Sequence, residues 1–288
     1  MQATTARSYL YIPGDQSAML SKSLSRGADA LIVDLEDAVA PAAKPAARAT
    51  VARWLTDLPA DLDTAVWVRT NPGVQGHDDA VAVVGPGLAG LVVAKTESVD
   101  ELQALDQVLR AVEQSSGVQP GSTSVVPLLE SAAAVLAADR LAAGPRVCRL
   151  QLGEADLRAD IGITPGEDER ELLYLRSHVV LVSAARGLQP PVGPTSVVVH
   201  DPEGLRGSTR ALARMGFVGR ACIHPAQVAV VNEVFTPTPD DVEQARALVA
   251  AFDRAVAAGE GVLVDAAGRM VDEAVVRQSR RVLARARR

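Results

Sequence analysis

The amino-acid sequence predicts a (β/α)8 barrel followed by a short C-terminal helical extension. Three observations lead there. Short runs rich in Val, Ile and Leu recur eight times. Segments of helical length separate them, as required when parallel strands are buried on both faces and joined by crossover helices. The 288 residues suit one barrel, which takes about 250, plus a remainder. The expected division is 1–235 for the barrel and 236–288 for the C-terminal helical extension.

The eight runs are residues 8–12, 30–34, 65–69, 91–94, 124–129, 149–152, 196–199 and 219–223. Most segments between them have amphipathic helical spacing. In 99–114, for example, Val99, Leu102, Leu105, Val108, Leu109 and Val112 fall on one face. Beyond the eighth run the sequence predicts a helix over 227–235, a break at Thr236-Pro237-Thr238-Pro239, and a helix over 240–258. A short apolar run at 262–264, a turn at Ala267-Gly268-Arg269 and an Arg-rich helix over 273–287 complete the extension.

Composition narrows the function. Apolar residues make up 48% and aromatics only 3%, so Ala, Val and Leu must fill the core. A net charge of −6 argues against general affinity for nucleic acid or anionic membrane, both of which need excess Lys and Arg. A small-molecule partner is expected. Cys148 and Cys222 form no CxxC pair and are expected to be reduced and buried. With neither a secretory h-region nor an apolar stretch of membrane-crossing length, the expected compartment is the cytoplasm.

In a parallel barrel, active-site residues come from the C-terminal strand ends and the loops after them. Five consecutive runs end in charge: Asp34-Leu35-Glu36-Asp37, Arg69-Thr70-Asn71, Lys95-Thr96-Glu97, Glu130-Ser131 and Gly153-Glu154-Ala155-Asp156. Each alone is explained by helix capping. Together they face one mouth, and neighbouring strand ends let Glu130 and Asp156 reach a common point. Two carboxylates in one place repel unless a divalent cation sits between them. Mg²⁺ suits such a pair, since water and substrate oxygens complete its octahedron, with Mn²⁺ as the alternative ion. No His pair or thiolate cluster supports zinc. For Arg69 the spacing leaves two readings open, a bidentate hold on a substrate oxo acid or an ion pair with Glu36 or Asp37.

Other signals carry less. Gly85-Pro86-Gly87-Leu88-Ala89-Gly90 matches GxGxxG but precedes a strand and opens no helix, so it reads as a loop. His77, His178, His200 and His224 lack ligand or triad spacing, and only His224 falls near the mouth. Arg277, Arg280, Arg281, Arg285, Arg287 and Arg288 read as a solvated helix face.

The sequence resembles the citrate lyase beta subunit-like branch of the HpcH/HpaI aldolase family nearly end to end. The likeness rests on the order and spacing of Arg7 to Gly14, Gly27-Ala28-Asp29-Ala30, Asp34 to Val39 with Lys44 and Arg48, and Val68 to Asn71. It continues through Lys95 to Ser98, Leu129-Glu130-Ser131, Gly153 with Asp156-Leu157, Ile223 to Gln227, and Gly268 to Asp272. The resemblance implies a barrel binding Mg²⁺ at Glu130 and Asp156, with Arg69 and Glu130 on the substrate's oxo-acid portion. It also implies acyl-CoA thioester substrates cleaved to acetyl-CoA and a 2-oxo acid, a homotrimer or hexamer, and Asp272 in a lid that reaches a neighbouring subunit's site. Glu36 and Asp37 are then expected to orient metal-bound water and Arg69. The sequence departs from the family pattern at Gln16, Met19-Leu20, Ala155, and Glu273-Ala274 after Asp272.

The expected chemistry is a Mg²⁺-dependent carbon-carbon lyase acting on a malyl-, citramalyl- or hydroxymethylglutaryl-CoA-like thioester. Three alternatives stay open: a citrate lyase beta subunit working on a carrier-protein thioester, a pyruvate-type aldolase on free acids, and a non-catalytic barrel scaffold.

Overall fold

The computed structural model describes residues 6–59, 61–265 and 267–286. Eight parallel strands form a closed barrel: β1 (Ser8–Pro13), β2 (Ala30–Asp34), β3 (Ala65–Thr70), β4 (Gly90–Val93), β5 (Ser124–Leu129), β6 (Gln151–Leu152), β7 (Val192–Gly193) and β8 (Gly219–Cys222), with β8 pairing back to β1. The helices following them are α1 (Ser17–Ser23), α2 (Lys44–Thr56), α3 (Gly73–Val83), α4 (Val99–Ser115), α5 (Ala132–Leu136), α6 (Ala138–Ala142), α7 (Glu154–Ile161), α8 (Leu173–Ala185), α9 (Pro202–Met215) and α10 (Pro225–Phe235). The expected barrel is present, closed by short strands whose inward and outward faces are both buried.

One strand lies elsewhere than the sequence predicts. The seventh stave is Val192–Gly193, whereas the Val run at 196–199 is a loop in which Val197 is 68% exposed. Tertiary pairing decides this: Val192 sits in register between Gln151 and Gly219, where it is buried. The β-branched run falls beyond the last ladder bond, so its propensity finds no partner. The sixth stave is also shorter than 149–152, covering only Gln151–Leu152. The GxGxxG segment is a turn up to Ala89, with Gly90 opening β4. A Cβ at Gly90 would stand 2.5 Å from the Trp67 ring, so the small residue there lets that indole fill the lumen.

Period-two alternation turns Ala30, Ile32, Trp67, Val92, Val126, Leu128, Val192 and Ala221 into the barrel core together with Tyr9. Two polar contacts also cross the lumen. The strands flanking β1 are β2 and β8, and those flanking β6 are β5 and β7, so a bond between β1 and the β6 stave must pass through the interior. Gln151 Nε2 donates to the Tyr11 hydroxyl at 3.0 Å. Two residues earlier on each stave, the Arg149 guanidinium bonds the Tyr9 hydroxyl. The lumen is a filled core with polar crossbeams.

The chain divides into two compact units between Glu233 and Val234. In the second, α11 (Pro239–Ala257) starts with a capping box in which Thr238 and Asp241 bond each other's backbone N–H. A hairpin of β9 (Leu263–Val264) and β10 (Met270–Val271) follows, then α12 (Glu273–Arg285). Phe252, Val271 and Val276 form this unit's small core. Arg277, Arg280 and Arg281 are exposed on α12, Arg285 is half-buried, and Arg287 and Arg288 lie outside the described residues. Among the described residues no helix is long and apolar enough to cross a membrane.

Candidate active site

The mouth is assembled from the ends of β2 to β6. Asp34 and Arg69 close the inward faces of β2 and β3 and stand opposite each other in the ladder. Asp34 takes both Arg69 Nε, at 2.8 Å, and Arg69 Nη2, at 2.6 Å, in a bidentate pair. Arg69 Nη1 is left for Glu36 at 3.2 Å and Asp37 at 3.7 Å. The guanidinium also lies over the Tyr11 ring at 5.1 Å. Arg69 therefore makes an ion pair, but its main partner is Asp34, which sequence reasoning treated only as a strand end. The signal was available: Asp34 is two and four residues after Ile32 and Ala30, and Arg69 two and four after Trp67 and Ala65.

Glu36 is buried and Asp37 half-exposed, and both accept from Lys95 Nζ, at 2.5 Å and 3.3 Å respectively. Burial holds the Glu36 carboxyl above its ordinary range despite the Lys95 bond. The Lys95 ammonium is held above its own ordinary range, chiefly by that same bond. Asp34 in turn accepts from the backbone N–H of Glu36 and Ala38, which folds the loop after β2 over the pair.

Glu130 follows β5 directly and is only 5% exposed. Its Oε2 accepts the Lys95 backbone N–H at 2.9 Å. Burial pushes its carboxyl up to about 7; the Lys95 N–H and Arg69 oppose the rise, and Glu36 and Asp156 add to it. Asp156 is exposed in the first turn of α7, next to Gly153 and Glu154. A Cβ on Gly153 would stand 2.4 Å from Glu130 Cγ, so this glycine makes room for the buried carboxylate. Glu154 points away into a buried pair with Arg176 of α8 at 2.6 and 2.8 Å, anchoring the turn that carries Asp156.

Asp34, Glu36 and Asp37 thus pair with two cations, Arg69 and Lys95, while the side chains of Glu130 and Asp156 form no ion pair among the described residues. The excess lies on the Glu130 side, where one backbone N–H is the only hydrogen bond to that side chain among the described residues. These donors fit a hard divalent ion: two oxygen ligands, one buried and short of positive charge, one exposed. Among the described residues no group of three or more His, Cys, Asp or Glu side chains could hold a metal, so water and substrate oxygens would supply the remaining coordination.

Asp272 belongs to the second unit. It is the N-cap of α12, and its Oδ1 accepts the N–H of Ala274 at 2.9 Å and of Val275 at 3.1 Å. His224 bonds the Ala226 N–H through Nδ1, a turn contact, while Gln227 ties that turn to the carbonyl of Ser196. Cys148 and Cys222 are both free, Cys222 buried and Cys148 partly so.

Comparison with known proteins gives the arrangement relatives. Citrate lyase subunit beta of Haemophilus influenzae is 31% identical over 283 residues, which cover 98% of this chain and 97% of that one. The L-malyl-CoA/beta-methylmalyl-CoA lyase of Cereibacter sphaeroides is 33% identical over 302 residues, covering 95% and 92%. The crystal structure of the protein CitE from Mycobacterium tuberculosis, in complex with magnesium, acetoacetate and coenzyme A, superposes with a TM-score of 0.79 at 27% identity and covers 99% of both chains. The family model for HpcH/HpaI aldolase/citrate lyase matches residues 7–225, a span that holds every strand of the barrel, and the chain belongs to that family.

Proposed function

We infer that this chain is a carbon-carbon lyase that splits a 3-hydroxyacyl-CoA thioester into acetyl-CoA and a 2-oxo acid, or runs the reverse condensation. The observation that supports the reading is the buried Glu130 carboxylate, which feels the charges of Glu36 and Asp156 as well as that of Arg69 at a mouth with surplus negative charge. Relatives named as CoA-ester lyases, and a neighbour holding magnesium, acetoacetate and coenzyme A, support it.

Glu130 and Asp156 are the residues assigned to Mg²⁺, with Mn²⁺ as a substitute of similar hardness. When bound, the ion supplies Lewis acidity toward the substrate's carboxylate and 3-oxygen. Arg69 offers Nη1 to the same oxo-acid portion, since Asp34 fixes its other edge and so sets the angle of the fork. Glu36 and Asp37 orient Arg69 and water at the rim. In cleavage the 3-hydroxyl gives its proton to solvent water, the C2–C3 bond breaks, the 3-oxygen becomes a carbonyl, and the electron pair stays on C2 as the thioester enolate. Protonation of C2 completes acetyl-CoA, and Asp272, contributed by a second copy in a homotrimer or hexamer, is assigned that step. The extension beyond the barrel is then the lid. The cytoplasm is its proposed setting.

The test is incubation with malyl- and citramalyl-CoA, which yield a 2-oxo acid, and hydroxymethylglutaryl-CoA, which yields a 3-oxo acid, with and without Mg²⁺, detecting the released oxo acid. Metal-dependent release from at least one ester is expected; no release from any removes the reading. A second reading, a citrate lyase beta subunit acting on a carrier-protein thioester, is favoured by the Haemophilus influenzae relative. It predicts no turnover by the isolated chain on CoA esters and turnover once partner subunits are added.

A further inference from the structure

We propose that Lys95 is a positioning residue that ties the two halves of the mouth together, its main chain fixing Glu130 and its ammonium holding Glu36 back from Arg69 Nη1. This rests on the lyase reading above. Lys95 has φ 51°, one of three non-glycine residues with positive φ among those described. A side chain in the left-handed region costs about 1–2 kcal/mol and persists only where the surroundings hold it there. Here they hold it at both ends.

The strained main chain directs its N–H at Glu130 Oε2, 2.9 Å away, on the carboxylate half. The side chain turns the other way, to Glu36 Oε1 at 2.5 Å and Asp37 Oδ1 at 3.3 Å, on the arginine half. The second oxygen of Glu36 faces Arg69 Nη1 at 3.2 Å. Nη1 is the end of the guanidinium not taken by Asp34, so it is the end a substrate carboxylate has to share. Without the ammonium, the buried Glu36 carboxylate would be drawn to Nη1 and compete with substrate there. A relaxed main chain at residue 95 would withdraw the N–H that aims Glu130.

The two contacts are separable by variant. Methionine removes the ammonium and tolerates the backbone as an unbranched residue does, whereas valine is β-branched and a genuine outlier at positive φ. Calorimetry with Mg²⁺ alone, then with pyruvate as a 2-oxo-acid probe in the presence of Mg²⁺, reads each half without turnover. In Lys95→Met we expect Mg²⁺ affinity within about twofold of wild type and pyruvate affinity about tenfold weaker, the scale of one charge-assisted contact. Lys95→Arg should restore pyruvate binding. Lys95→Val should weaken Mg²⁺ as well, by about tenfold.

Pyruvate binding by Lys95→Met equal to wild type overturns the proposal, as does equal loss of Mg²⁺ affinity in the Met and Val variants. If Lys95→Val does not fold, the Met and Arg pair still decides the side-chain half. A wild-type chain that binds neither probe removes the lyase reading and this inference together. A wild type that binds both while every variant matches it removes the inference alone.

Discussion

Two arginines look into the same lumen and are held in opposite ways. Arg149, near the N-terminal end of the staves, is buried and bonds neutral oxygens, the Tyr9 hydroxyl and Gln189 Oε1, with the Tyr9 ring 5.5 Å from its guanidinium carbon. Arg69, at the mouth, is gripped by carboxylates, with Asp34 on two nitrogens and Glu36 and Asp37 on the third. The lower cation is fixed by shape and neutral dipoles, with no carboxylate bonded to it among the described residues. The upper one sits among acids that outnumber the cations, which on the proposed reading suits the mouth to a metal ion and to a response to pH. Under the proposed function, chemistry belongs to the end where charge is left uncompensated.

The sharpest way to break this contrast is at the acids proposed to hold the metal. Even the outer partners of a metal ligand are worth about 10–100-fold, so Asp156→Asn should cost more than that in turnover and abolish Mg²⁺ binding by calorimetry. Asp156 is exposed, so circular dichroism should show the fold unchanged. Retained metal-dependent turnover would leave the mouth no different from the lower lumen.

Next in size are the arginine partners. Asp34→Ala strands part of a buried guanidinium and should cost about 3 kcal/mol or more by denaturant unfolding, together with lost substrate affinity. Arg149→Met should cost about 1–3 kcal/mol, from the lost hydrogen bonds to the Tyr9 hydroxyl and Gln189 Oε1, with Mg²⁺ affinity untouched. Equal effects of the two on substrate binding would undo the distinction between the levels.

A smaller effect is expected with pH. The folded Glu130 carboxyl, held at about 7, keeps its proton to higher pH than an unfolded glutamate does. The stability this contributes to the metal-free chain is full below the unfolded value and is lost as pH rises through about 7. Mg²⁺ needs the ionised form, so its stabilising effect should grow over the same interval. Melting curves with and without Mg²⁺, from about one pH unit below that midpoint to about one above, check this. A metal-induced shift in Tm that does not vary with pH would argue that Glu130 is not the ligand. In Arg149→Met the same pH dependence should survive.

The smallest change asks whether anything outside the two lumen levels sets the rate. Asp272→Ala removes the α12 cap and should lower stability by about 1 kcal/mol, whereas Asp272→Asn keeps a capping oxygen and should not. Both should lose turnover while binding Mg²⁺ normally. An Asn variant with wild-type rate would confine the chemistry to the barrel.

Much of the barrel was legible because each stave is a short apolar run and each crossover has helical spacing, both of them local patterns. The seventh stave was not. The Val run at 196–199 has the stronger strand propensity, yet Val192–Gly193 has the ladder partners. At the mouth, Glu130, Asp156, Arg69, Glu36 and Asp37 were all visible as polar strand ends. Asp34 was passed over because three acids in four residues compete for one arginine, and their spacing does not say which of them stands opposite it.

What the sequence determined by itself was periodicity and residue chemistry: eight staves, a polar mouth with paired carboxylates, and a separate C-terminal segment. Tertiary structure alone decided register and burial. Register puts Asp34 across from Arg69 and lets Gly153 make room for Glu130, because both depend on which backbone lies next to which. Burial turns an ordinary glutamate into one that titrates near neutrality, and the dielectric around a carboxylate is set by everything folded about it rather than by its neighbours in the chain.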